Sequence, residues 1–386
     1  MKKNKWRGIS IIIACAMGLF FAVAGANAAR PIKEVSMTAY GVGTQAYIFS
    51  AGIAEAVHNV AGIKTRAIPA GNDVGRMLPL RAGEVDLCIV TGGTGWIVSH
   101  GAFDFASPAW GPQPIRMAWR GGNVIVGSYT RADSGIKTIA DVKGKRVAEV
   151  IGSPTINKNV EAFLAFANVS LKDCRVVKFP SHGEAGKALT EGFVDMYQFG
   201  TTGSRPMETA GSVHGIYWFN LDPKDEAGWE RFWKYAPWAG KTLATRYAGK
   251  EKGIKPFWTA GYPYNIWAWN STPTDVVYAY TKAIWEGYEQ YKDKHPELPH
   301  WSHETVADVS GCHYPYHDGV IKVLKEKGVW TAEHDKFQQR QLDNESKRMA
   351  LWAKSQKEAK KKKIRIGSKA WKNFWWDQLV AANLLR

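Results

Sequence analysis

The chain has 386 residues, 45% of them apolar and 22% charged, with a formal net charge of +16; this is enough chain for two domains or one large one, and the balance excludes disorder as its main state. The basic excess is concentrated in a tail, where Lys354 to Arg386 holds ten Lys and Arg against Glu358 and Asp377, and this clustering argues against a nucleic-acid partner. Beyond the first 28 residues only Cys88, Cys174 and Cys312 remain, too few and too scattered for a disulfide framework.

Those first 28 residues read as an export signal. Lys2, Lys3, Lys5 and Arg7 precede an apolar run from Ile9 to Gly25, which Ala26-Asn27-Ala28 closes in a small-x-small cleavage pattern. Cleavage after Ala28 would deliver the mature chain to the periplasm and lower the net charge from +16 to +12 by removing those four basic residues. The "IIAC" at Cys15 is similar to a lipoprotein box, but cutting there would leave half of the apolar run on the product. No later apolar run approaches the 18 residues or so of a membrane span.

Strand and helix then alternate. "VSMTAY" is a strand, "GVGTQAY" a glycine loop, and Ala46, Phe49, Ile53, Ala56, Val57 and Val60 recur at helical steps. "KTRAIPA" is a strand, "GNDVGRMLPLRAG" a helix opened by Asn72, and "EVDLCIV" a buried strand running into "TGGTG". The same order returns in "GKRVAEV", "GSPTINKNVEAFLAFANV", "CRVVKF", "SHGEAGKALTEG" and "FVDMYQF", which runs into "GTTGS". "RAGEVDL" and "TEGFVDM" occupy the same step of the two series. Two α/β lobes with parallel strands follow, with ligand sites beyond the carboxyl ends of the strands. "IRMAWRGGNVIVGSYT" reads as the first crossing between lobes and "GIYWFN", near Gly215, as the return.

In "TPTDVVYAYTKAIWEGY" Thr272 is expected to cap a helix and Pro273 to open it, with Val276, Tyr280, Ile284 and Tyr288 on one face. The alternating Tyr262, Tyr264, Trp267 and Trp269 of "GYPYNIWAW" suit one face of a core strand, or an aromatic wall for a ligand. "GCHYPYHDG" gathers Cys312, His313, His317 and Asp318. Those are metal-binding groups, but Pro315 interrupts any helix through them, and a turn whose histidines bond backbone groups is the simpler reading. The tail sets Lys360 to Lys363 and Arg365 beside Trp371, Phe374, Trp375 and Trp376. That mixture suits an anionic membrane surface, a docking face, or a helix packed through its tryptophans.

Five stretches taken together resemble the TAXI-type solute-binding proteins of TRAP (tripartite ATP-independent periplasmic) transporters. They are the loop of Gly43, Thr44 and Tyr47, then "RAGEVDL", "IKTIADVKGKRVAEVIGSPT", "TPTDVVYAYTKAIW" and "YPYHDGVIKVLKEKGVW". The resemblance covers roughly Val35 to Trp330, and "TGGTGW", the 17 tryptophans left after cleavage and the tail after about Asp335 depart from the family pattern. It implies a bilobed periplasmic-binding-protein fold, type II-like, with hinge strands between lobe 1 (residues 29–122 and 221–335) and lobe 2 (123–220), and a C-terminal extension (336–386). It also implies a small, carboxylate-bearing solute, TRAP membrane subunits as partners, a structural role for His317, and neither metal nor cofactor.

The residue chemistry is compatible with a carboxylate. Four loops place glycines and hydroxyls at helix starts, where unpaired N–H groups attract anions. The candidate ligand groups are Gly43, Thr44, Tyr47, Asn72, Thr91, Gly92, Thr94, Ser153, Thr155, Thr201 and Thr202, with Arg116, Arg120 and Arg205 as possible charge partners. An exported hydrolase is the rival class, yet Ser153, Ser181, His182 and Glu184 form no nucleophile elbow, and no catalytic residue is assigned. A surface-interaction protein working through the tail is the other.

Overall fold

A computed structural model describes residues 31–385; the expected signal and its cleavage site lie outside the described residues. The strands are β1 (Glu34–Tyr40), β2 (Lys64–Ala70), β3 (Leu87–Thr91), β4 (Ile115–Arg131), β5 (Arg146–Val150), β6 (Arg175–Phe179), β7 (Tyr197–Gly200), β8 (Ile216–Trp218), β9 (Gly240–Ala244) and β10 (Phe257–Trp269). The helices of the first part are α1 (Gln45–Ala61), α2 (Asp73–Ala82), α3 (Gly92–His100), α4 (Pro154–Phe166), α5 (His182–Thr190), α6 (Ser204–Gly211) and α7 (Glu226–Trp233). Those that follow β10 are α8 (Thr274–Glu286), α9 (Tyr288–Tyr291), α10 (His303–Ala307), α11 (Asp318–Glu326), α12 (Ala332–Lys361) and α13 (Lys369–Ala381).

The main sheet runs β2-β1-β3-β10-β4-β7, with β8 on β4 and β9 on β10, while β5 and β6 pair by themselves. β1 is parallel to β2 and β3, and β5 to β6, as the strand–helix alternation requires. Two long strands tie the molecule together. β4, of 17 residues, pairs with the later part of β10 through Ile115–Arg120 and with β7 and β8 through Val126–Arg131. β10 in turn pairs with β3 through Tyr264–Trp267 and with β9 through Phe257–Gly261. Their mutual register shifts at Pro263/Asn265 and Ile266/Trp267, so the ladder is weakest at mid-length, where Pro263 lacks an N–H.

The "GIYWFN" stretch, expected as the return crossing, forms β8 and pairs only with the end of β4. The strand accompanying β4 through most of its length is β10. Helix α7, inside the range assigned to lobe 1, packs on α4 by edge-on ring contacts of Phe232 with Phe163 and Trp229 with Phe166. Helix α8 forms as the apolar spacing requires, burying Tyr280 and Ile284. Its cap differs from expectation: Pro273 is the N-cap, while the Thr272 hydroxyl accepts from the Trp269 N–H at 3.0 Å.

The residues after Trp330 form two helices that lie against the body. Arg116 makes a bidentate pair with Glu345 of α12 at 2.6 and 3.0 Å, and Gln338 bonds both backbone groups of Tyr316. Trp371 and Trp375 of α13 are fully buried, both edge-on to Trp352 at 4.9 Å, and the Trp375 indole donates to the His100 carbonyl. The tryptophans of the tail thus pack inward, whereas Lys360–Lys363 and Arg365 are exposed. No helix among the described residues is long and apolar enough to cross a membrane.

Candidate ligand cleft

Strands β1, β3 and β7 end at one place. Tyr40, Thr91 and Gly200, their last residues, line a small cavity of about 30 Å³, room for about one water, together with Thr44, Gln45, His182, Gln198, Tyr262 and Tyr264. The starts of α1, α3, α4 and α5 border the cavity through Thr44 and Gln45, Thr91, Ile156 and His182, so helix N-termini from both halves of the chain meet there.

Beside it the helix-start chemistry converges on a carboxylate the chain supplies itself. Asp73, first residue of α2, is wholly buried and forms a 2.5 Å ion pair with Arg76, equally buried one turn on. One oxygen of Asp73 also accepts from the Tyr40 hydroxyl at 2.8 Å and the Thr94 hydroxyl at 3.3 Å. The other accepts from the Thr155 backbone N–H, at the start of α4, at 2.9 Å. The Asp73 N–H donates to Ser153 Oγ at 3.2 Å, and Thr155 Oγ1 donates to Thr94 Oγ1 at 3.1 Å. Arg76 stacks 3.3 Å from the centre of the Tyr40 ring and donates to the Ile89 carbonyl. Burial opposes its charge, but Tyr40 and Asp73 outweigh that and raise its pKa.

The two sides touch at further points. The Gln45 amide donates to Thr202 Oγ1 at 2.5 Å, and Ser204 Oγ donates to the Gly43 carbonyl. Gly43 itself turns at φ +84, a left-handed conformation that favours glycine. The Val74 N–H meets the Gly152 carbonyl at 3.1 Å and the His182 N–H the Gly71 carbonyl at 3.2 Å. His182 lies flat on Phe199 at 3.9 Å with Nδ1 2.7 Å from the Tyr197 hydroxyl. Burial first, and Arg76 second, push its pKa down to about 3, so the ring is neutral. The Gln198 side-chain N–H₂ is buried, lines the cavity and has no partner in the chain, a condition that costs stability unless something enters to accept from it.

The sequence-expected residues divide accordingly. Thr44 and Thr91 line the cavity; Thr94, Ser153 and Thr155 surround Asp73; Thr202 and Gly43 join the two sides. Asn72 caps α2 by accepting from the Gly75 N–H at 2.7 Å, Thr201 donates to the Arg246 carbonyl, the Gly92 carbonyl accepts from Tyr314, and the Tyr47 N–H is spent on Thr44. The three expected arginines are engaged with Glu345 (Arg116), Asp308 (Arg120) and Glu208 (Arg205). The guanidinium at the cleft is Arg76.

The aromatic strand splits. Tyr262 and Tyr264 line the cavity, whereas the Trp267 indole donates to Val90 and packs edge-on to Tyr314 at 4.6 Å. In "TGGTG" the glycines make room for rings: a Cβ on Gly93 would stand 2.5 Å from Trp238, and one on Gly95 2.4 Å from Trp267. His317 caps α11, accepting from the Gly319 N–H while its Nε2 lies 3.0 Å from the Thr272 carbonyl, and Cys312 is buried. Among the described residues no three His, Cys, Asp or Glu side chains stand together as a metal site.

The family model described as NMT1-like matches residues 37–328. The chain belongs to the NMT1-like family. Among solved structures, MatC from Rhodopseudomonas palustris with bound malate is 16% identical, aligning 80% of this chain with 99% of that one at a TM-score of 0.52. The periplasmic binding protein BugD is 15% identical, aligning 77% of this chain with 98% of that one at a TM-score of 0.50. No curated protein matches. The α/β fold of this NMT1-like chain is therefore that of the bilobed periplasmic binding proteins, and helices α12 and α13 lie beyond the family match.

Proposed function

We propose that this NMT1-like protein is an extracytoplasmic solute-binding clamp, not an enzyme, that delivers a small organic solute to a TRAP-type membrane transporter. The observation that carries the reading is the convergence of strand ends and helix starts on one cavity lined by mixed polar and apolar side chains, with β4 and β10 as the continuous connections. We take the two lobes to meet near Asn123 in β4 and Pro263 in β10, so that a small bend at the register shifts parts them. The family assignment and the type II-like fold support the binding role; the five resembling stretches support the TRAP subtype and its membrane subunits as partners. The export signal supports a periplasmic location with cleavage after Ala28. The expectation of an anionic solute rests on glycines and hydroxyls at four helix-start loops, and at one of them the Asp73 carboxylate accounts for the Thr155 N–H.

Native mass spectrometry of the freshly purified protein tests this reading. A stoichiometric small molecule, released on denaturation and carried across proteoliposomes only when TRAP membrane subunits are present, is the expected result. Uptake that is indifferent to this protein would contradict it.

A further inference from the structure

We propose that Asp73 is a tethered carboxylate ligand: it fills the anion cradle between the lobes, holds them together, and leaves the adjoining cavity to a solute recognised by uncharged groups. The proposal rests on the clamp reading and deepens it.

The cradle has the composition of a carboxylate site. Donors to the Asp73 oxygens are the backbone N–H of Thr155 at the start of α4, the hydroxyls of Tyr40 and Thr94, and Arg76. Helix N-termini, hydroxyls and a guanidinium together form the set expected to capture a carboxylate from solution. Here the carboxylate arrives on a side chain whose backbone is fixed by the Asn72 cap and by the Ser153 hydroxyl.

The donors come from both lobes. Tyr40, Arg76 and Thr94 belong with β1, α2 and α3, whereas Thr155 belongs with α4, as does Ser153, whose hydroxyl accepts from the Asp73 N–H. When the lobes part, Asp73 keeps Arg76, Tyr40 and Thr94, and loses Thr155 and Ser153. Closure is therefore favoured by the chain's own anion, in the manner a bound solute would favour it.

What remains for a solute is uncharged. Gln45, Gln198, the neutral His182, Tyr262 and Tyr264 face the cavity, and the nearest full charges, Asp73 and Arg76, neutralise one another. A second carboxylate there would meet Asp73 without a free cation. A polar solute bearing hydroxyl, amide or ring groups finds the unpaired Gln198 amide and the tyrosine faces instead.

Small-angle scattering on the full mature chain tests the proposal, with sodium acetate as the probe. Expected: wild type has the same radius of gyration with and without acetate, Asp73→Ala has a larger one, and acetate returns it to the wild-type value. Because a tether supplies an effective concentration in the millimolar range, acetate should be needed at roughly millimolar levels or above. Asp73→Ala/Arg76→Leu, which leaves no unpaired buried charge, guards against misfolding: it should be expanded and should not respond to acetate. An Asp73→Ala protein as compact as wild type, or expanded but indifferent to acetate, overturns the proposal, as does failure of both variants to fold by circular dichroism. Native mass spectrometry of wild type keeps the clamp reading separate, since a retained solute there stands whatever Asp73 does.

Discussion

The cleft and the C-terminal helices solve the burial of awkward groups in opposite ways. Around Asp73 the contacts that the clamp reading places between the lobes are directional and polar, contributing about 0.5–1.5 kcal/mol net for the neutral pairs and about 1.5–3 kcal/mol for the Thr155 N–H on the carboxylate, and on that reading water replaces them on opening. Around Trp371 and Trp375 the contacts are aromatic, and each indole removes roughly 150–250 Å² from water, worth about 4–6 kcal/mol that opening would forfeit. On the clamp reading, the interface that opens is polar and held by geometry, while the one that stays is apolar. Arg116–Glu345, Lys372–Asp104 and Trp375–His100 join the extension to the side carrying β1 to β3, while Lys369, Lys372 and Trp376 of α13 also border a pocket shared with Lys158 of α4.

That contrast is broken most forcefully at its two anchors. Arg76→Leu strands the Asp73 carboxylate in the interior and should cost about 3–5 kcal/mol, read as a fall in the denaturation midpoint. Trp375→Ala should cost a similar amount, about 3–5 kcal/mol, through the cavity it leaves, but should leave solute affinity at its wild-type value by calorimetry. Equal loss of affinity in both variants would erase the distinction between the regions.

Acid should find the cleft next. The folded protein keeps His182 neutral down to about pH 3, whereas an unfolded histidine takes up its proton near 6.5. The stability His182 contributes is therefore complete above pH 6.5 and is lost as pH falls from there towards 3, a decline of several kcal/mol at most. His182→Phe keeps the stack on Phe199 and should flatten the dependence of melting temperature on pH across that window. An unchanged slope would assign the acid sensitivity elsewhere, with the buried His100 as the next group to replace.

Much of this was legible in the sequence because it is periodic. Helix α1, the buried β3 and the Asn72 cap follow from apolar spacing and cap chemistry. The length of β10 and its pairing with β4 did not show themselves, although the odd spacing of Tyr264 and Trp267 already sets them on opposite faces of a strand, one towards the cavity and one towards the core. Asp73 was missed for a similar reason. An aspartate in the first turn of a helix, paired with an arginine one turn on, is ordinary, and its bond from the Thr155 N–H depends on the meeting of segments 82 residues apart. Glycines 93 and 95 looked like a loop for ligand and instead admit tryptophan rings, which also accounts for part of the unusual tryptophan content.

Smaller effects sharpen the comparison. Gln198→Leu should weaken solute binding roughly three- to tenfold, the value of one neutral hydrogen bond, without lowering the melting temperature. Replacing Lys360 to Lys363 with alanine should leave both stability and solute binding unchanged, since these side chains are exposed. Co-sedimentation with anionic vesicles at low and high salt would then read out any membrane contact of the tail; a salt-sensitive loss of binding in the variant would give the charge run that role.

The opening of the clamp itself is best measured as a distance. Spin labels at Leu78→Cys on α2 and Val213→Cys beyond α6 stand on exposed positions of opposite lobes, with Cys174→Ser removing the half-buried thiol and Cys88 and Cys312 buried. Pulsed electron resonance should give one narrow, short distance for the wild-type background and for Trp375→Ala, and an added longer one for Asp73→Ala. The same single distance in all three would mean that the lobes do not part at the Asp73 contact, and that the two regions do not differ in the way described.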